Sequence, residues 1–203
     1  AWRVGVSWRS PLTIATTGSG TVVFPQGPMT ERVAFEQRWP QIGTLGVGWR
    51  PAAAVRLAAQ VDYTQWSRVD QLKIALPGSG GTLDQVYKVA WRDTWTVRAG
   101  GEYRLGPAVA VRAGAYRDGN AVPDRTLERQ YVDSAKVGLA GGVGVAVAGW
   151  RVDGAVDVVL PGRRTVADNA AEIPPSWPDL KNKAPGTYES ALYTLELALS
   201  HPL

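Results

Sequence analysis

The sequence predicts an all-β fold: an antiparallel, up-and-down transmembrane β-barrel in which residues 1–203 form a single domain. The first observation is a period-2 alternation, clearest over residues 91–105, with apolar or aromatic residues on one parity and arginine, threonine and glutamate on the other. The second is that no run of about 18 apolar residues exists, which excludes transmembrane helices. The third is that tight turns alternate with long loops along the chain, as in outer-membrane barrels.

The alternation also predicts which way each face of a strand points. A soluble sandwich hides its apolar face in a core, whereas a membrane strand places aromatic rings at the lipid interface and polar groups in the lumen. We therefore expect Trp95 to face lipid and Arg98 to face the lumen. The same position at or near a strand end, on the lipid interface, is predicted for Trp2, Trp8, Trp49, Trp91, Trp95 and Trp150.

About nine strands follow from the pattern, each a run of valine, leucine, alanine or aromatic residues that alternate with arginine, glycine, threonine or acidic residues. In order, they are predicted at residues 2–9, 12–24, 43–50, 54–66, 91–105, 108–116, 134–147, 150–160 and 188–200. Residues 70–76 continue the fourth strand beyond a kink near Trp66. Tight turns are predicted at Ser10-Pro11, Pro51 to Ala53, Gly106-Pro107 and Ala148-Gly149.

Long connections rich in proline, glycine and aspartate are predicted at residues 25–40, 77–90, 118–133 and 161–187. In outer-membrane barrels such loops are extracellular and the short turns periplasmic, so the last strand here ends at the periplasm. Because bacterial single-chain barrels have even strand numbers, an odd count predicts that further strands lie upstream of residue 1. Inward glycines at positions 138, 142 and 144 predict either room in the lumen or a bend.

Composition excludes several functional classes. The chain has no cysteine, so disulfides, thiolate nucleophiles and cysteine-ligated metals are excluded. Its one histidine, His201, follows the last strand and offers neither a metal site nor a catalytic base, so we expect no enzyme, no metal and no cofactor. The net charge of +4 is spread over strands and accompanies no recognition motif, so nucleic acid is not an expected partner.

Four motifs, in order along the chain, resemble the outer-membrane long-chain fatty acid transporter family, which includes the aromatic-hydrocarbon transporters of the TodX type. The first is the strand and turn of residues 2–10, WRVGVSWRS, and the second is YTQWS at 63–67 followed by QLK at 71–73. The third runs from WRDTW at 91–95 to GEY at 101–103. The fourth comprises RAG at 112–114 and AVP at 121–123.

The resemblance implies a barrel of about 14 strands with an N-terminal hatch, of which this chain matches only the C-terminal portion. It also implies a location in the bacterial outer membrane and passive transport of hydrophobic molecules, most of all long-chain fatty acids, with aromatic hydrocarbons as another class. The hatch and the first strands have no counterpart in these residues. The resemblance leaves undecided whether a second chain completes the barrel or whether the chain forms a short barrel that closes on itself.

The polar parity is net basic and predicts the ligand site. It carries Arg3, Arg9, Arg50, Arg56, Arg92, Arg98, Arg104, Arg112, Lys136 and Arg151 against Asp62, Glu102, Asp153, Asp157 and Glu196. Arginine can bind a carboxylate with two hydrogen bonds. The resemblance places Lys88 and Arg92 at the outer end of the pocket and Arg98 and Arg112 deeper. The alternative is an ion-pair lattice that stiffens the lumen and needs no ligand.

Trp66 has two interpretations, a ring that contacts the ligand or a wedge that packs the kink. Two rival functions also remain beside transport of hydrophobic molecules. One is a structural or engineered barrel piece that binds nothing, suggested by the missing hatch. The other is a nonselective porin for hydrophilic solutes, suggested by the charged lumen.

Overall fold

A computed structural model of the chain describes residues 1–24, 27–75, 85–127, 132–167 and 185–201. These residues form antiparallel β-sheet and two short 3₁₀ turns, Trp66–Arg68 and Asp124–Thr126, and they contain no α-helix. None of their helical turns is long and apolar enough to cross a membrane. The strands are β1 (Trp2–Arg9), β2 (Leu12–Phe24), β3 (Gly27–Trp39), β4 (Ile42–Ala52), β5 (Val55–Thr64), β6 (Gln71–Ala75), β7 (Gln85–Lys88), β8 (Thr94–Arg104), β9 (Val109–Asp118), β10 (Lys136–Val147), β11 (Trp150–Val166) and β12 (Gly186–Ser200).

The strands divide into two sheets. Eight of them pair in the order β1-β4-β5-β8-β9-β10-β11-β12, and the other four pair in the order β2-β3-β6-β7. In the eight-stranded sheet, the strands meet at tight turns at one end and at long excursions at the other. The four-stranded sheet lies within two of these excursions, between β1 and β4 and between β5 and β8.

The predicted faces are confirmed by the register of the eight-stranded sheet. Val4 pairs with Val47, Val61 with Val97 and Val143 with Val111, so apolar residues share one face. The polar residues share the other face, where Asp62 pairs with Thr44 and Thr96, and Glu102 with Arg112. We call these the outward and inward faces.

Aromatic rings mark both ends of the outward face. At the end with tight turns, Trp2 stacks on Trp49 with ring centroids 5.1 Å apart, and Trp150 meets His201 edge to face at 4.8 Å. At the end with long connections, Tyr63 lies 4.9 Å from Trp95. Nine residues of β8, from Trp95 to Tyr103, separate the two ends, and a tilted transmembrane strand needs about 9–11 residues.

The junction at Ser10-Pro11 is not the predicted tight turn. β1 pairs with β4, not with β2, and β2 pairs with β3 over residues that were predicted to be a loop. The chain therefore continues from β1 into β2 in the same direction, and the β2-β3 hairpin returns it to β4. Pro11 and Pro40 lie at the same level of the two arms, and because proline has no N–H for the ladder, the two sheets part there.

The segment before β8 also differs from the prediction. Residues 71–75 form β6 in the second sheet and do not extend β5, because the 3₁₀ turn Trp66–Arg68 redirects the chain. β7 ends at Lys88, Ala90 has a positive φ of 45°, and β8 begins only at Thr94. The strand is therefore not continuous from Lys88 to Trp91, and the alternation of β8 does not determine which way Lys88 points.

Two clusters of buried hydrophobic residues lie at the end of the eight-stranded sheet that carries the long connections. One cluster comprises Val122, Leu127 and Val166, and a second comprises Val69, Leu72 and Val89. Trp91 packs against both clusters, so it joins the connections into one cap and does not face the lipid interface as predicted.

Candidate functional site

The middle of the inward face carries an ion-pair lattice. The carboxylate of Glu102 accepts hydrogen bonds from Arg112 Nε at 2.9 Å and Arg104 Nε at 3.3 Å, with Arg56 3.5 Å away. Arg112 also donates to Asp153 Oδ1 at 2.7 Å. The lattice therefore links β5, β8, β9 and β11, although β10 lies between β9 and β11.

Glycines on β10 leave room for these side chains to pass over that strand between β9 and β11. Gly142 pairs with Arg112, and Gly144 pairs with Asp153 and has that carboxylate where a Cβ would be. At Gly138 the ring of Tyr116 occupies the space of a Cβ, and its hydroxyl donates to Asp157 Oδ1 on β11 at 3.1 Å. The inward glycines predicted from the sequence thus provide room for side chains of β9 to reach β11.

Further toward the long connections, a second polar group surrounds Asp62, which is only 7% exposed. Its carboxylate is ion-paired with Arg98 and accepts hydrogen bonds from Thr44 Oγ1 at 2.7 Å and Gln60 Nε2 at 2.8 Å. The charge of Arg98 is therefore compensated within the protein.

A cavity of about 280 Å³ lies above this group, under the cap formed by the connections. We call it the mouth cavity. Its lining includes the indoles of Trp66 and Trp91, which meet edge to face at 5.3 Å. The remaining lining residues are Ala121, Val122 and Val132 on the apolar side and Thr94, Asp118, Asp133 and Lys136 on the polar side, with Gly119 between them.

Lys136, the one cation among the described lining residues, is compensated. Lys136 Nζ donates to Asp133 Oδ1 at 2.6 Å and lies 4.0 Å from Asp118 Oδ2. Asp118 also accepts a hydrogen bond from Thr96 Oγ1 at 2.6 Å, and Asp133 accepts one from the backbone N–H of Ala121 at 2.8 Å. Two carboxylates and one ammonium give the described lining residues a net charge of −1.

Asp93 holds Trp66 in its place. Its carboxylate accepts hydrogen bonds from the hydroxyl of Tyr63 and, at 2.8 Å, from the backbone N–H of Ser67, the residue after Trp66. Burial alone would raise the pKa of Asp93, but these hydrogen bonds outweigh it and hold the pKa below its ordinary value. The ionised form of Asp93 is therefore the form that fits the turn.

A pH dependence follows from this shift. A lowered pKa contributes stability that is complete above the unfolded value of about 3.9 and is lost as the pH falls through the folded value. We expect the protection of the Ser67 amide, its exchange rate relative to that of an unfolded amide at the same pH, to hold down to about pH 4 and to fall below it. In Asp93→Asn this protection should be lost over the whole pH range, with Asp70→Asn as the exposed control. A parent protein in which the protection of Ser67 does not fall below about pH 4 would contradict the role of Asp93.

Of the five predicted site residues, one is among the described residues that line the mouth cavity. Trp66 lines the mouth cavity, whereas Arg98 and Arg112 lie below it in ion pairs. Arg92 is exposed, and its backbone N–H donates to the carbonyl of Ala121, a lining residue, at 2.8 Å. The backbone of Lys88 pairs with that of Gln71 in the second sheet, and its side chain lies outside the described part of the chain. The ligand roles of these five residues stay predictions.

Sequence reasoning missed Trp91, Asp118 and Asp133 as lining residues. Trp91 has the outward parity of β8 but precedes the strand, so parity was misleading there. The two aspartates lie at the start and end of a predicted loop, residues 118–133, and nothing in the pattern showed that the loop folds back over the inward face. A useful signal was the recurrence of aspartate at both ends of that loop.

The family model of the outer membrane protein transport proteins (OMPP1/FadL/TodX) matches residues 1–144. The chain belongs to this family. Its location is therefore the bacterial outer membrane, and the proteins of this FadL/TodX family transport hydrophobic molecules such as fatty acids and aromatic hydrocarbons. No curated protein matches the chain.

Solved structures of FadL/TodX type share the fold. A FadL homologue of Pseudomonas aeruginosa has 15% identity and a TM-score of 0.74 over 98% of this chain and 48% of its own. The toluene transporter TbuX of Ralstonia pickettii has 18% identity and a TM-score of 0.66, with 98% and 44% covered. The toluene transporter TodX of Pseudomonas putida has 13% and 0.63, with 98% and 45% covered. The chain thus spans about half the length of these FadL/TodX barrels.

Proposed function

We propose that this chain forms part of a passive route for hydrophobic small molecules across the outer membrane, with the mouth cavity as a binding site on that route. The observation that carries the proposal is an aromatic and apolar cavity placed between the long connections and a polar, ion-paired inward face. A hydrophobic molecule binds where apolar walls replace water, and a few polar groups set its orientation. No bond chemistry is needed, because diffusion through a site suffices.

The charges favour an uncharged ligand. A carboxylate requires a cation to compensate its desolvation, yet Lys136 is held by Asp133 and Asp118, and the lining residues that the structure describes carry a net charge of −1. Trp66 and Trp91 offer ring faces and edges to an aromatic guest, an arrangement worth about 0.5–1.5 kcal/mol beyond area burial. Aromatic hydrocarbons are therefore the class that these contacts support best, and TbuX and TodX are described as toluene transporters.

Long-chain fatty acids, the class expected from the sequence, are the second candidate. Arg92 favours them, because it is exposed beside the cavity wall and no described carboxylate lies within ion-pair distance of it. Arg98 and Arg112 are weaker candidates, since accepting a fatty acid would require them to leave Asp62, Glu102 or Asp153.

The test compares toluene with a long-chain fatty acid, using binding to the purified protein and uptake by cells that carry it in the outer membrane. We expect saturable toluene binding that Trp66→Ala weakens about tenfold, because one ring contact and its buried area are lost. Trp49→Ala removes an indole from the outward face and is the matched control. Equal toluene binding by the parent and Trp66→Ala would reject the mouth cavity as the site.

A second pair of variants tests the charge argument. Asp133→Asn releases Lys136 from its nearest carboxylate, so fatty acid binding should rise while toluene binding stays the same. The control is Asp70→Asn, on the exposed surface outside the cavity. If the parent already binds the fatty acid more tightly than toluene, and Arg92→Ala abolishes that binding, the fatty acid proposal replaces the aromatic one. Stable conductance steps in planar bilayers would instead support a porin.

A further inference from the structure

We propose that Arg117 binds a phosphate group of the glycolipid that forms the outer leaflet of the outer membrane. This inference concerns the lipid-facing surface and does not depend on which molecule is transported. It rests on the face of the sheet that carries Arg117, on the depth of Arg117 in the membrane and on its missing counter-charge.

Arg117 lies on the outward face. It pairs directly with Val97 on β8 and with Val137 on β10, whereas its neighbour Asp118 lies on the inward face and contacts Thr96 there. All the other described outward residues that pair in the eight-stranded sheet below the β11 bulge are uncharged. A single arginine in an otherwise apolar surface calls for a physical reason.

The depth of Arg117 follows from the register. Trp95 lies two residues before Val97, toward the long connections, so Arg117 is one outward pair deeper than the ring of Trp95. On β10, the partner of Arg117 is Val137, which lies two residues nearer the long connections than Leu139. Leu139 pairs with Val158 on β11, and Val158 pairs with Tyr193 on β12, so these three residues form one row across the strands. The row of Arg117 thus falls between the rows of Trp95 and Tyr193. Because strands in a barrel are tilted, a line from Trp95 to Tyr193 follows the membrane boundary and passes Arg117.

A position at the membrane boundary lowers the free-energy cost of placing an arginine on the lipid face and brings its charge near a partner. An arginine on the lipid face costs about 2–4 kcal/mol at the bilayer centre and about 0–1 near the interface. Its aliphatic stem covers apolar surface while the guanidinium reaches the headgroup level. At that level the outer leaflet presents phosphate groups, which a guanidinium binds with two parallel hydrogen bonds.

The counter-charge is missing within the described part of the protein. Arg98, Arg112 and Lys136 each have a carboxylate within ion-pair distance, whereas Arg117 is exposed and has none among the residues described. The next outward charges, Arg163 and Glu189, face each other across β11 and β12 beyond the bulge. An anion from the membrane therefore complements Arg117 better than any described side chain does.

The test measures the binding of lipid A, with its phosphates, to the detergent-purified protein by native mass spectrometry, beside dephosphorylated lipid A. We expect the parent to prefer the phosphorylated lipid and Arg117→Gln to lose about tenfold in affinity for it, since a charge-assisted pair is removed. Arg117→Lys should keep part of the preference. Arg125→Gln, an exposed arginine on the 3₁₀ turn Asp124–Thr126, is the control and should bind as the parent does.

Two outcomes would overturn the proposal. One is equal binding of phosphorylated and dephosphorylated lipid A by the parent, which would mean that the arginine only reaches water. The other is unchanged affinity in Arg117→Gln, which would place the phosphate contact elsewhere. The unfolding midpoint without lipid is measured for each variant, and if Arg117→Gln does not fold, the parent's phosphate preference and Arg117→Lys decide the question.

Discussion

Replacing Arg164 by methionine is expected to free residues 119–127 from the sheet and to expose Arg125 to trypsin. The guanidinium of Arg164 is 8% exposed and donates to Asp124 Oδ1, to Asn120 Oδ1 at 3.3 Å, and to the carbonyl of Val122 at 2.7 Å. It also donates to the carbonyl of Asp133. One side chain of β11 therefore holds both ends of the connection that lines the mouth cavity.

The expected loss of stability is about 1–3 kcal/mol, because the carbonyl of Val122 would lie buried without its donor. The side chain of Asp124 is 67% exposed, so water can solvate its carboxylate once Arg164 is removed. We expect a lower unfolding midpoint, faster tryptic cleavage after Arg125 and weaker toluene binding, since Val122 and Asp133 line the cavity.

Arg163→Met is the matched control for this prediction. It removes the same kind of side chain and one tryptic site, one residue away on the opposite face of β11, where Arg163 pairs with Glu189. Its cleavage after Arg125 should match that of the parent. Equal cleavage rates in Arg164→Met and Arg163→Met would show that Arg164 does not hold the connection.

Replacing Gly142 by valine is expected to destabilise the eight-stranded sheet. A Cβ at this position would lie 2.9 Å from the carbonyl oxygen of Gly154 and 3.3 Å from the Cβ of Ala155. The first neighbour is backbone of the adjacent strand and cannot turn aside. Overpacking of this kind costs about 1–3 kcal/mol, and the branches of valine would also crowd the path of Arg112 to Asp153.

Gly141→Val is the control, because it alters the next residue on the outward face. A Cβ there meets only the carbonyl oxygen of Arg112 at 3.9 Å, an ordinary contact, and a valine facing lipid suits a strand. Unfolding midpoints in detergent distinguish the two variants. If both variants unfold at the parent's temperature, the glycines of β10 are not needed for the lattice.

The faces of the strands were predictable because each depends on one strand alone. Trp95 was predicted to lie on the outward face and Asp62, Arg98 and Glu102 on the inward face, and the register confirms all four. The family was also predictable, because it is identified by short sequence motifs that occur in the correct order along the chain. The prediction failed where a residue's surroundings come from distant segments, as at Trp91, which packs between two clusters of the cap.

By itself, the sequence determined that the protein is built from antiparallel strands with an apolar outward face and a charged inward face. This is so because successive side chains of a strand point to opposite sides whatever its neighbours are. Only the tertiary structure decided that β1 pairs with β4 across a proline-bounded hairpin, and that Lys136, Arg98 and Arg112 are already paired with carboxylates. Both facts depend on which strands lie side by side and in what register, and a period of two residues carries no information about either.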